Sequence, residues 1–198
     1  MDLGISGRTA LVTGASRGLG FSSARALSNA GVKVCLVSRS TDRLSTAVQE
    51  LSDGCHTIAA DLSDPSSIQS MLEEVKETFG AIDILVANAG GPPPGNFETT
   101  AIEDFSEALQ LNLLSTIEMC KGLIPEMIDR GWGRVVAITS IAVREPMAQL
   151  ILSNTARSGL TSFLKTTATE VAGAGVTVNS IQPGLHGTER LTELYEDL

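Results

Sequence analysis

The sequence is short of cysteine, of cationic residues and of long apolar runs, and each shortage argues against a class of protein. Its three cysteines, Cys35, Cys55 and Cys120, are odd in number, widely scattered and without a CxxC spacing. Free thiols in a reducing compartment are expected, with neither a disulfide framework nor a metal site. Lys and Arg total 14 against 23 Asp and Glu, a formal net charge of −9, and no basic stripe is visible. A nucleic-acid backbone is therefore not an expected partner. No apolar run approaches the roughly 18–20 residues that span a bilayer. The opening MDLGISGRTALV also lacks the basic region and apolar stretch of a secretion signal. A cytoplasmic protein with no membrane partner is expected.

What is present is the composition of a globular chain: 198 residues, 42% hydrophobic and 19% charged. Residues 1–198 are expected to form one soluble domain, large enough to bury a core without metal or disulfide support. Aliphatic residues occur throughout, so disorder is not expected.

Short apolar runs alternate with stretches of helical period. RTALVTG (8–14), VKVCLVS (32–38), HTIAA (56–60), IDILVANAG (82–90), GRVVAITS (133–140) and GVTVNSIQP (175–183) read as strands. Most are apolar on both faces, as parallel strands covered by helices should be. Between them, Asp64 and Pro65 suit a helix start, Ile68, Leu72, Val75 and Phe79 share one face, and Gly80 stops the helix. Thr100 and Glu103 have capping-box spacing, and Gly31 suits the end of the first helix. The strict alternation predicts a doubly wound parallel α/β sheet with helices on both faces and right-handed crossovers. There is no linker or repeat. The one biased stretch, GGPPPG (90–95), follows a strand end, where ligands bind in this architecture.

TGASRGLG (13–20) closes the first strand and opens the first helix. Gly14, Gly18 and Gly20 would let the backbone approach a diphosphate, with Ser16, Arg17 and Leu19 in the same turn and the helix amides aimed at the anion. A plain strand-to-helix turn is the other reading; the strand-turn-helix context favours the first. Where a ribose-binding carboxylate would sit, 18 to 20 residues after Gly20, stand Ser38, Arg39 and Ser40. Arg39 and Arg17 could instead hold a 2′-phosphate, although each alone also reads as a solvated surface residue. Together with the missing acid they favour NADP(H) over NAD.

TGxxxGxG, then AADL (59–62), then ANAG (87–90) resembles the short-chain dehydrogenase/reductase family over almost the whole chain. The nearest flavour is the 3-oxoacyl-acyl-carrier-protein reductase type. The resemblance implies a Rossmann-type sheet, NADP(H), and hydride transfer to or from a small carbonyl or alcohol substrate, a 3-oxoacyl thioester among the candidates. It also implies a homo-oligomer. By position, Asp61 and Leu62 should flank the adenine, with Asn88, Ala89 and Gly90 beneath it and the ribose. Pro183, Gly184 and Thr188 should meet the nicotinamide carboxamide. Asn88 has a second reading, as a tie between neighbouring strands.

Family members that reduce carbonyls use Asn, Ser, Tyr and Lys. Asn112 in LQLNLLS and Ser140 in AITSIA match the first two. Aligning ARSGL with the family's lysine segment puts Arg157 at the lysine position and Ser153 at the tyrosine position, four residues apart on one helix face. The only tyrosine is Tyr195, near the C-terminus. Lys165 reads as helix surface, and His56 and His186 as incidental. A seryl hydroxyl is a far weaker acid than a phenol, and an arginine does not relay protons. Three readings stay open: Ser140 and Arg157 stabilise an alkoxide while water near Asn112 and Ser153 delivers the proton; the substrate carries its own acidic group; or the protein is a non-catalytic NADP(H)-binding regulator. Family members continue past the PG with a covering segment and a further strand. Here the sequence ends in LTELYEDL, so that last strand is not expected, and an exposed sheet edge could recruit a partner.

Overall fold

The computed structural model describes residues 2–189 and 191–192. Six strands, β1 (Thr9–Thr13), β2 (Lys33–Ser38), β3 (His56–Ala59), β4 (Ile84–Ala87), β5 (Gly133–Ile138) and β6 (Val176–Ile181), form one sheet in the order β3-β2-β1-β4-β5-β6. Every pairing is parallel. The helices are α1 (Gly18–Asn29), α2 (Thr41–Val48), α3 (Pro65–Thr78), α4 (Ile102–Leu109), α5 (Ser115–Asp129) and α6 (Ile151–Val171). This is the doubly wound Rossmann-type architecture that the alternating pattern predicts. Among the described residues no strand follows β6.

Side chains alternate across the sheet and feed two cores. Leu11, Cys35, Val37, Leu85 and Val135 pack with Ile68, Met119, Leu123 and Leu160 of α3, α5 and α6. Ala10, Val12, Val34 and Leu36 pack with Ala24, Leu44 and Ala47 of α1 and α2. Burial pushes the Cys35 and Cys120 thiols up to about 12, Cys35 also feeling Glu74 and Cys55, so both stay protonated and inert.

The helix ends follow the expected chemistry with one correction. Asp64 accepts the Ser66 amide at 2.9 Å and Pro65 opens α3. Ile68, Met71 and Val75 are its buried residues, while Leu72 and Phe79 are only partly covered. After α1, Val32 N–H donates to Leu27 O and Gly31 N–H to Ser28 O, a Schellman closure. The pair expected at Thr100 and Glu103 falls one residue later, where the Ala101 amide donates to the Asp104 carboxylate at 3.0 Å. Asn96 causes the shift: its side chain accepts the Glu98 and Thr99 amides and holds the preceding turn through Thr99. Thr100 Oγ1 is left buried without a hydrogen-bond partner.

Strands end earlier than their apolar runs. Asn88–Gly90 leave the sheet after β4, and Thr139 and Ser140 leave it after β5. The chain winds outward from β1 in one direction and from β4 in the other, so a crevice opens between their carboxyl ends. Gly14 (φ +57°) turns the chain there. A Cβ on Gly20 would lie 2.2 Å from Gly14 O, and one on Gly14 would lie 2.6 Å from Asn88 Nδ2. Only hydrogen fits at both places.

Gly20→Ala should therefore lower stability by about 1–3 kcal/mol, the usual cost of forcing an extra methyl into packed structure. Urea denaturation checks this; an unchanged midpoint would mean that the turn is not packed as described.

Candidate functional site

The crevice at the strand ends is a cavity of about 600 Å³, within the range of small-molecule sites. Of the residues predicted to hold a dinucleotide, Gly14, Ser16, Arg17, Gly18, Leu19, Ser38, Arg39, Asp61, Leu62, Asn88, Ala89, Gly90, Arg157, Pro183, Gly184 and Thr188 line it. Gly20 does not; it is buried under the turn and acts through the close approach just described.

One end of the cavity suits an anion. The α1 amides open onto it, and neither a side-chain cap nor an acidic residue occupies the first turn of that helix. The first turns of α2 and α3, by contrast, are capped by Ser40 and Asp64. Uncapped amides at a helix start are where diphosphates bind. At the end of β2, Ser40 Oγ accepts the Arg43 amide at 3.3 Å, and Arg39 and Arg43 both reach the wall as exposed residues. Arg43 is a site residue that the sequence reading missed; the signal was available, since a helix capped by Ser40 puts Arg43 in its first turn. Asp61 is held below the usual carboxylate range, first by the Ser63 hydroxyl (2.7 Å) and amide (2.9 Å), and further by Arg39. It stays anionic at neutral pH.

Asn88 does two things at the middle of the wall. Its amide donates to Thr13 Oγ1 at 2.9 Å, its carbonyl accepts from that hydroxyl at 2.8 Å, and its Nδ2 donates to Gly14 O at 3.2 Å. The strand tie is thus present in the same residue that lines the cavity.

The other end brings Ser140, Ser153 and Arg157 together on the wall. Ser140 follows β5, and its Oγ accepts the Ala142 amide at 3.1 Å. Ser153 and Arg157 share one face of α6, each 9% exposed, with Arg157 Nε donating to Ser153 Oγ at 3.2 Å. Arg157 Nη1 also donates to Ile138 O (2.9 Å) and Thr139 O (3.1 Å), tying α6 to the strand end that presents Ser140. Asn112 does not reach the wall. It sits in a five-residue π-helical segment, Gln110–Leu114, between α4 and α5, and its Nδ2 donates to Gly90 O at 2.8 Å. Its Oδ1 is buried without a partner. Such bulges recur at functional sites because they re-aim one side chain.

Around this end the wall is apolar: Pro92, Leu111, Ile141, Met147, Leu150 and Leu185. Pro92 comes from the GGPPPG stretch expected beside a ligand; the other five were not singled out from sequence, because isolated apolar residues in short irregular segments carry no periodic signal. His186 lies on the wall, its Nδ1 3.1 Å from Gly184 O. His56 instead stands at the outer strand against Phe79, and Lys165 is exposed on α6 away from the cavity. Tyr195 lies outside the described residues. Among the described residues no cluster of His, Cys, Asp or Glu could hold a metal ion, and no helix is long and apolar enough to cross a membrane.

Residues 8–198 match the family model described as short chain dehydrogenase. Over 195 residues the chain is 31% identical to the 3-oxoacyl-(acyl-carrier-protein) reductase FabG of Vibrio cholerae, covering 98% of this chain and 80% of the relative. It is 37% identical over 186 residues to the D-beta-hydroxybutyrate dehydrogenase of Rhizobium meliloti, covering 89% of this chain and 70% of that one. Among solved structures, L-sorbose reductase from Gluconobacter frateurii, complexed with NADPH and L-sorbose, superposes with a TM-score of 0.90 at 34% identity. That match covers 95% of this chain and 73% of the reductase.

The Arg157 bonds predict a stability role separable from chemistry. Arg157→Leu should cost about 2–4 kcal/mol in urea denaturation, because it strips donors from buried carbonyls. A loss below about 0.5 kcal/mol, the scatter of ordinary surface substitutions, would mean that those bonds do not hold the strand end.

Proposed function

We propose that this chain, which belongs to the short chain dehydrogenase family, binds NADP(H) along the cavity and transfers hydride between it and a carbonyl or alcohol substrate. The carrying observation is that one cavity joins the uncapped start of α1 and the arginines after β2 to Ser140, Ser153 and Arg157. The NADPH bound to the neighbouring sorbose reductase supports the choice of cofactor. Bound there, the nicotinamide would supply the hydride; the protein supplies position and electrostatics.

In this reading the Gly14–Gly20 turn holds the diphosphate and Arg17 and Arg39 take the 2′-phosphate. Asp61 and Leu62 flank the adenine, and Asn88, Ala89 and Gly90 lie beneath it and the ribose. Pro183, Gly184 and Thr188 face the carboxamide. Ser140 hydrogen-bonds the substrate oxygen. Arg157 lends positive charge through the Ser153 hydroxyl that it contacts, and water near Asn112 and Ser153 carries the proton. The apolar wall suits a carbonyl compound with a hydrocarbon portion, and a 3-oxoacyl thioester is the leading candidate given the relatives. Residues 1–198 act as one cofactor-binding unit in the cytoplasm, as a homo-oligomer.

A second reading has its own support. Arg157 already serves three protein acceptors. A clamp of that kind leaves a nucleotide-binding protein that does not turn over, a regulator whose state follows the cofactor pool.

Arg17→Ala and Arg39→Ala should each weaken NADPH roughly tenfold, the loss of one charge-assisted contact, and leave NADH nearly unchanged. Fluorescence titration checks this, and equal losses for both nucleotides would reject the phosphate assignment. The same protein given NADPH and a panel of ketones and 3-oxoacyl thioesters should oxidise the cofactor; tight binding with no turnover across pH would favour the regulator.

A further inference from the structure

The Arg17 side chain, assigned above to the 2′-phosphate, is not waiting in solvent. Its Nη1 forms an ion pair with Glu189, 172 residues away in sequence. Glu189 itself lines the cavity that Arg17, Arg39 and Arg43 also line, and its carboxylate meets the Arg17 guanidinium there.

The pair also fastens a segment. After β6 the chain is held near the sheet by Ile141 N–H donating to Pro183 O at 3.0 Å and by Arg144 Nε donating to Gln182 Oε1 at 2.7 Å. Residues 184–187 then run exposed. Contact resumes at the phosphate turn, where the Thr188 methyl lies 3.7 Å from the position of a Cβ on Gly18 and Glu189 meets Arg17. Both partners are partly solvated, with side chains 38% and 67% exposed. An exposed pair of this sort is weak and exchanges readily, whereas a phosphate offers a guanidinium a doubly charged, bidentate partner.

We propose that Glu189 is a cofactor-selectivity residue whose carboxylate occupies the Arg17 guanidinium that the 2′-phosphate of NADP(H) must take. The inference rests on the reading of Arg17 as a phosphate ligand. Binding of NADP(H) exchanges one anion for the other and unfastens the far end of the 183–189 segment. NAD(H), which lacks that phosphate, leaves the pair intact. The apparent affinity for NADP(H) is reduced by the fraction of molecules in which Arg17 is engaged, so Glu189 narrows the gap between the two nucleotides.

The test is a titration of NADPH and NADH at low salt into four full-length proteins: wild type, Glu189→Gln, Arg17→Ala and the double variant. Glu189→Gln should tighten NADPH roughly two- to fivefold, the range of an exposed ion pair, and leave NADH unchanged. In the Arg17→Ala background the same substitution should change nothing. Unchanged or weaker NADPH binding in Glu189→Gln would overturn the proposal. An equal gain with Arg17 absent would overturn it too, because it would mark a general field effect. Failure of the wild type to bind NADPH at all would defeat the cofactor reading itself, and this result is distinct from saturable binding that is indifferent to Glu189.

Discussion

Asn88 donates its side-chain amide to the carbonyl of Gly14 where β1 and β4 part company, and the turn beside it closes only because Gly14 and Gly20 carry no side chain. This contact fixes the distance between the first strand, the start of α1 and the loop after β4. Everything that makes the crevice useful depends on that spacing. The α1 amides open onto it, and Ala89 and Gly90 line it. The carbonyl of Gly90 is fixed in turn by Asn112 from the π-helical segment. Two asparagines on different elements therefore set one wall, and neither acts as an acid or base.

The opposite wall depends on a buried cation. A guanidinium that is nine-tenths buried is costly unless its donors find acceptors, and Arg157 finds them at Ile138, Thr139 and Ser153. These bonds rigidify the strand end just before Ser140 and orient the Ser153 hydroxyl. An ammonium group with three donors on a flexible stem would not span the same acceptors in the same plane. The site has the means to stabilise negative charge on an oxygen but contains no phenol within its described walls.

The legible and illegible parts of the molecule differ in the range of the interactions that set them. The six strands could be read because parallel strands are apolar on both faces, and the Gly14–Gly20 turn because glycine marks a backbone that no other residue allows. Strand ends could not be read. IDILVANAG offers Asn88 as a tie between strands, but does not say that its side chain will reach Gly14 O or that the ladder stops just before it. The α4 start was misplaced by one residue because Asn96, several positions upstream, absorbs two amides first. At the site, the i, i+4 spacing of Ser153 and Arg157 put them on one face, as observed. That Arg157 would bind carbonyls 18 and 19 residues earlier, or that Arg17 would meet Glu189, is tertiary information that no local pattern carries.

The most direct test of the account is amide hydrogen exchange with and without saturating NADPH. The amides of residues 14–20 and 88–90 should gain protection together, since the cofactor's diphosphate is to rest on one and its adenosine on the other. Protection confined to other elements, or none at these two stretches despite saturation, would contradict it.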